Sequence, residues 1–130
     1  MKNIIIFLLF NLIASTAVAQ YRYEELTNKF IIFYNKQKPD SLFSLYSPAL
    51  KEKLTLERTQ TILEGLHVQY GDLRSLDLIK QDSGFNSYKA SFSHQTLTLL
   101  MARSNDGLIE GYRLVPYQAD PATDPKKKIQ

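Results

Sequence analysis

The spacing of apolar residues changes at Leu73, and this change constrains the fold more than any other feature of the 130-residue chain. Before that point apolar residues recur every three to four positions, as on one face of a helix. After it they alternate with polar residues, as in a strand with one buried face. Because helices come first and strands second, the sequence predicts an α+β fold with an antiparallel sheet, not a doubly wound α/β fold.

The helical half divides into one long segment, two short ones and a second long one. The first helix is predicted over Tyr21 to Gln37, with an apolar stripe made of Leu26, Phe30, Phe33 and Tyr34. Asp40 or Ser41 could cap a short second helix, and Ser47 with Pro48 opens another turn. Thr55 is the expected N-cap of the last helix, which Gly71 ends. The apolar face of that helix is predicted to contain Thr59, Ile62, Leu63, Leu66 and Tyr70.

Four strands are predicted after Gly71, with turns at Asp82-Ser83-Gly84 and Asn105-Asp106-Gly107. The second and third strands each carry one apolar face, formed by Tyr88, Ala90 and Phe92 and by Leu97, Leu99 and Met101. The fourth runs from Leu108 to Val115. Alternation places Leu108, Glu110, Tyr112 and Leu114 on one face and Ile109, Gly111, Arg113 and Val115 on the other, and leaves open which face turns inward. The helices are expected to cover a curved sheet.

The first 19 residues have the layout of a secretory signal peptide. Lys2 precedes a short apolar run, and Ala17 and Ala19 are the small residues of a cleavage site, so cleavage is predicted after Ala19. A retained N-terminal anchor is the alternative, although the run is shorter than the roughly 20 residues of a spanning helix. The sequence therefore predicts a leader over 1–19, one domain over 20–117 and a disordered polar tail over 118–130. Export to the periplasm or the medium is expected, with no stable membrane anchor after cleavage.

Composition excludes several kinds of site. The chain has no cysteine, which rules out disulfides, thiolate metal sites and a lipid-attached cysteine. Of its 16 basic residues Lys2 lies in the leader, so the exported domain would carry 15 against 13 acidic residues. Three of the 15 cluster in the tail, at Lys126, Lys127 and Lys128. Since the domain shows no basic face, nucleic-acid binding is not expected.

Three stretches of this chain carry a resemblance to a known superfamily. They are residues 42–54, residues 66–73 with the Tyr70-Gly71 helix end, and the closing run 105–116. Together they resemble the nuclear-transport-factor-2-like superfamily, the cone-shaped, cystatin-like α+β fold also used by ketosteroid isomerases. Within it the chain is similar to an uncharacterised family of bacterial exported domains sometimes fused to hydrolases. Since this chain contains no hydrolase domain, the resemblance implies that an accessory role would be exercised in trans.

The candidate catalytic residues are two carboxylates and two tyrosines. Chemistry of the ketosteroid-isomerase kind requires a carboxylate base in an apolar cavity and an acid such as tyrosine. Asp77 and Glu110 are the candidate bases, and Tyr88 and Tyr112 the candidate acids. The alternative is that Tyr112 packs in the core while Glu110 is a solvated strand residue. Candidate ligand-binding residues are Tyr34, His67, Tyr70 and Arg113, the last as an anion-binding group.

The sequence lacks the residue patterns of serine hydrolases, metal sites and phosphate-binding loops. There is no G-x-S-x-G serine motif, and the neighbours Ser93 and His94 are predicted to lie in a polar link between strands. Two histidines, His67 and His94, are too few for a histidine metal site. No glycine-rich phosphate loop is present, and no cofactor is expected.

Three functions remain open at this level. The first is a non-catalytic exported domain that binds a small ligand or a partner protein through its cavity or sheet face. The second is a small cofactor-free isomerase or hydratase. The third is a structural or accessory subunit that forms a homodimer through the sheet.

Overall fold

The fold comes from a computed structural model that describes residues 24–82 and 84–118. Within these residues four helices precede four strands, which confirms the predicted α+β class. The helices are α1 over residues 24–35, α2 over Pro39–Ser44, α3 over Pro48–Lys53 and α4 over Leu56–Tyr70. The strands are β1 over Leu73–Asp82, β2 over Phe85–Phe92, β3 over Thr96–Arg103 and β4 over Ile109–Pro116.

The predicted signal peptide over 1–19 lies outside the described residues, as do residues 20–23 and all of the predicted tail beyond residue 118. None of the helices within the two described ranges is long and apolar enough to cross a membrane.

Side-chain hydroxyls cap the starts of α3 and α4. The Thr55 hydroxyl accepts a hydrogen bond from the Arg58 backbone N–H at 3.3 Å and caps α4, as predicted. The Ser47 hydroxyl caps α3 in the same way, with Pro48 in the first turn. The N-cap predicted for α2 is wrong by two or three residues, because the helix begins at Pro39 and its N-cap residue, Lys38, makes no side-chain cap. The fixed φ of proline suits a first helical turn without such a cap.

The sheet is an antiparallel meander in the order β1-β2-β3-β4, curved and not closed. Beyond β4, residues 45–47 add one short parallel bridge: Ile109 N–H donates to Leu45 O, and Ser47 N–H donates to Ile109 O, both at 2.8 Å. This bridge covers only the start of β4, so the rest of that strand is an edge of the sheet.

A bulge in β4 corrects the predicted alternation of its side chains. Arg103 pairs with Ile109 while Met101 pairs with Tyr112, so β4 holds one more residue than β3 between these two pairs. Ile109 and Tyr112, three positions apart, both join the core, whereas Glu110 is exposed. The prediction that Glu110 and Tyr112 share one sheet face is therefore wrong, whereas the alternative, with Tyr112 packed in the core and Glu110 solvated, agrees with the structure.

The core lies between the helices and one face of the sheet. It contains the predicted apolar faces of β2 and β3 and the stripes of α1 and α4. Two polar contacts attach α1 to the far end of α4 and to β1. Tyr34 donates its hydroxyl proton to Gly71 O at 2.8 Å. Asn35 accepts from Leu73 N–H at 2.7 Å and donates to Leu73 O at 2.8 Å, so one amide pairs with both backbone groups of that residue.

Candidate functional site: an apolar cavity between helices and sheet

A cavity of about 380 Å³ lies where α1 and α4 cross the sheet. Its wall is formed mainly by aliphatic and aromatic side chains of α1, α4 and strands β2 to β4, with Leu54 of the α3–α4 link beside them. The lining residues are Phe30, Tyr34, Leu54, Ile62, Leu66, Phe92, Leu99, Tyr112, Arg113 and Leu114. Among them Arg113 alone is charged, and no carboxylate of the described chain contributes to the wall.

The two phenols in the wall already have hydrogen-bond partners. Tyr34 bonds to Gly71 O, and the hydroxyl of Tyr112 bonds to that of Tyr46 at 2.5 Å. Tyr46 is buried and bonds in turn to the Thr59 hydroxyl at 3.0 Å, so a chain of three hydroxyls connects β4, residue 46 and α4. Because a buried hydroxyl without a partner is costly, this chain fixes the position of the Tyr112 ring on the cavity wall.

Burial keeps these phenols protonated. Burial raises the pKa of Tyr112, and the neighbouring Tyr46 adds to the increase through its charge and its hydrogen bond. The pKa of Tyr34 rises to about 12, first because of burial and second because of the negative charge of Asp72. Burial also raises the pKa of Tyr46, although its hydrogen bonds to Thr59 and Tyr112 oppose the increase. The hydroxyls of Tyr34 and Tyr112 in the cavity wall therefore stay neutral further into the alkaline range than an exposed tyrosine would.

The raised pKa of Tyr34 predicts a loss of stability in alkali. Above its ordinary pKa of 10.0 the unfolded chain releases the phenolic proton, while the folded chain keeps it up to about 12. The unfolded state then binds fewer protons, so the free energy of unfolding falls as the pH rises from 10 to 12. Urea titrations across this range should show a smaller fall for Tyr34→Phe than for the wild type. Equal slopes for the two proteins would contradict this assignment.

The predicted site residues assemble only in part: the Tyr34 ring lies 6.3 Å from the His67 ring, while the candidate carboxylates lie elsewhere. Tyr34, Tyr112 and Arg113 line the cavity. Tyr70 lies beside it with its ring 5.5 Å from that of Phe92, and His67 bonds to Asp72 at 2.9 Å in a partly exposed position. Glu110 is exposed on β4.

A second pocket of about 370 Å³ lies between the start of α1 and the β1–β2 pair, and both Asp77 and Tyr88 line it. The register places Asp77 opposite Lys89 and Tyr88 opposite Leu78. Alternation along the strands therefore assigns the carboxylate of Asp77 and the phenol of Tyr88 to opposite faces of the sheet. The same pocket contains Asn86, whose buried Oδ1 receives no hydrogen bond from the described residues.

The sequence does not reveal the polar residues that hold the cavity wall in place through hydrogen bonds. The sequence pattern places Thr59 on an apolar face, and it contains no signal that links Asn35 or Tyr46 to a site. Their partners are 13 to 66 positions away in the chain, so no local spacing reveals them. Ser93 and His94 lie in the β2–β3 link, as predicted. Within the described ranges no group of three or more His, Cys, Asp or Glu residues could hold a metal ion.

Comparison with models of protein families, with curated proteins and with solved structures finds no significant match. The function must therefore be inferred from the cavity and its wall.

Proposed function

We propose that this chain is an exported binding domain that holds a small, largely apolar molecule in the cavity between helices and sheet. The observation that carries the proposal is the cavity itself, about 380 Å³ in volume and lined mainly by apolar side chains. Pockets of roughly 300 to 1,000 Å³ with such walls are typical of small-molecule sites. The export rests on the predicted signal peptide, and the resemblance described above favours a fold of this kind.

The polar atoms of the wall favour an apolar ligand. The hydroxyls of Tyr34 and Tyr112 are engaged with Gly71 and Tyr46, so a polar ligand would have to compete with existing bonds. An apolar ligand does not compete for these hydrogen bonds, and its transfer from water into the cavity is favourable. The three-hydroxyl chain also holds the wall in place before a ligand arrives, which lowers the entropic cost of binding.

A binding role is favoured over catalysis by the placement of the carboxylates. An isomerase or hydratase of the predicted kind needs its base inside an apolar pocket facing an acid. Asp77 lines a different pocket and is assigned to the sheet face opposite to Tyr88, and Glu110 is exposed. The homodimer alternative concerns the sheet face; a groove of about 340 Å³, whose lining includes Phe85, Leu100 and Gly111, lies on strands β2 to β4.

The proposal predicts that a neutral apolar dye binds in the cavity. The fluorescence of N-phenyl-1-naphthylamine, excited directly, should rise as protein is added, and the increase should saturate. Leu66→Trp fills the cavity and should weaken binding about tenfold or more, the effect of losing roughly 1.4 kcal/mol of contacts. Val68→Trp is the matched control, because Val68 lies two positions further along α4 and is 83% exposed. Unchanged affinity in Leu66→Trp, with a wild-type thermal midpoint, would place the dye elsewhere and refute the proposal.

A further inference from the structure

The cavity is apolar except at one point of its wall, the position of Arg113. Both Leu114 and Arg113 of β4 contribute to the lining. Leu114 pairs with Leu99 of the core, whereas Arg113 pairs with Leu100 and is assigned by alternation to the outer face. Arg113 nevertheless borders both the cavity and the groove of about 340 Å³, and it is exposed. A residue in this position lies where the cavity meets solvent, at the free edge of the sheet.

Within the described residues the guanidinium of Arg113 has no acidic partner. Ion pairs in this part of the chain join Lys29 to Glu25, His67 to Asp72 and Lys80 to Asp82. None of the described residues that line the cavity is acidic, so no negative charge in the wall opposes an anion. Arginine offers a planar set of donors that matches a carboxylate or sulfonate in two parallel hydrogen bonds.

We infer that the ligand of the cavity is an amphiphile with an anionic end: its apolar part occupies the cavity and its carboxylate or sulfonate binds Arg113 at the edge of β4. This inference rests on the proposed function and adds the chemical class of the ligand. It follows from the combination of an apolar interior with Arg113 at the border, which has no acidic partner among the residues that the structure describes. A wholly apolar ligand would use the interior and leave Arg113 without a role.

The test compares two ligands that differ only in their polar end. Octanoate and octan-1-ol displace N-phenyl-1-naphthylamine from the full chain, and their apparent affinities are read from the loss of dye fluorescence. Octanoate should bind about fivefold more tightly than octan-1-ol, the upper range for an ion pair that remains in contact with solvent. The difference should shrink as salt is added, because salt screens exposed charges.

Substitutions assign this preference to one residue. Arg113→Gln should bring the ratio of octanoate to octan-1-ol affinity, measured within the variant, close to one, and Arg113→Glu should make octan-1-ol the better ligand. Arg74→Gln is the matched control, because Arg74 is also an exposed arginine on an edge strand, at the opposite side of the sheet. It should retain the wild-type preference.

The outcomes separate the two proposals. If the dye binds and Leu66→Trp expels it, but octanoate and octan-1-ol compete equally, the cavity is a binding site and the anionic class is wrong. If octanoate is preferred equally by the wild type and by Arg113→Gln, its charge is recognised elsewhere and Arg113 has no part in it. If the dye itself does not bind, the proposed function fails first.

Discussion

Replacing Gly71 by alanine should destabilise the protein by about 2–4 kcal/mol, more than any other single methyl group added to a described glycine. Gly71 has φ 81° and ψ −154°, a backbone conformation that is open almost only to glycine. A Cβ atom there would also lie 3.0 Å from Cβ of Ser93 and 3.3 Å from Cε1 of His94. Moving Gly71 to relieve these contacts would disturb the carbonyl that accepts the Tyr34 hydroxyl bond.

Gly65 provides the matched control for this substitution. It lies inside α4, and a Cβ atom built on it meets nothing within 4 Å. Gly65→Ala should therefore stabilise the protein by about 0.5–1 kcal/mol, because alanine loses less conformational entropy in a helix. Urea unfolding followed by far-UV circular dichroism measures both variants. If the free energy of unfolding of Gly71→Ala lay within about 0.5 kcal/mol of the wild-type value, the turn after α4 would have to adjust to the added methyl group at little cost.

The second large effect is expected from the chain of three hydroxyls behind the cavity. Tyr46→Phe keeps the ring contacts with Phe43 and Tyr112 but removes the central hydroxyl. The hydroxyls of Thr59 and Tyr112 then lose their shared partner, and Thr59 is fully buried. Since a buried polar group without a partner costs about 1–3 kcal/mol, we expect a loss of about 2 kcal/mol.

Two further variants test whether this loss comes from the hydroxyl. Tyr70→Phe is the control, because Tyr70 packs against Phe92 and its hydroxyl makes no hydrogen bond within the described residues. It should change the free energy of unfolding by less than about 0.5 kcal/mol. Thr59→Val should cost less in the Tyr46→Phe background than in the wild type, because its partner is already gone. Additive effects in this double-mutant cycle would rule out coupling between the two hydroxyls.

Much of the fold could be predicted from the sequence because its signals are local. Thr55 and Ser47 cap helices with hydroxyls that reach only three residues ahead, and Gly71 ends α4 through its own backbone conformation. The alternating residues of β2 and β3 identify one buried face without knowledge of any partner strand. These features depend on a few neighbouring residues, which a single sequence displays.

The rest depends on contacts between distant segments. The bulge at Ile109 exists only relative to the register of β3, so alternation alone places Glu110 beside Tyr112. The cavity cannot be predicted either, because it depends on how completely side chains fill the space between helices and sheet. The pattern assigns Phe30 and Leu66 to an apolar face but does not show whether the facing side chains fill the space between them. The bond of Tyr46 to Tyr112 joins residues 66 positions apart, and no spacing in the sequence predicts it.

The attachment of α1 has a consequence for the order of folding. Each strand of the meander pairs with its neighbour in sequence, so the sheet can form hairpin by hairpin from nearby residues. In contrast, Tyr34 and Asn35 bond to residues 37 and 38 positions later. When the chain emerges from the ribosome, α1 lacks much of the surface that it packs against until Leu73 and the strands beyond it have appeared. We expect its apolar stripe to stay partly exposed until then, a state in which a nascent chain is prone to aggregate.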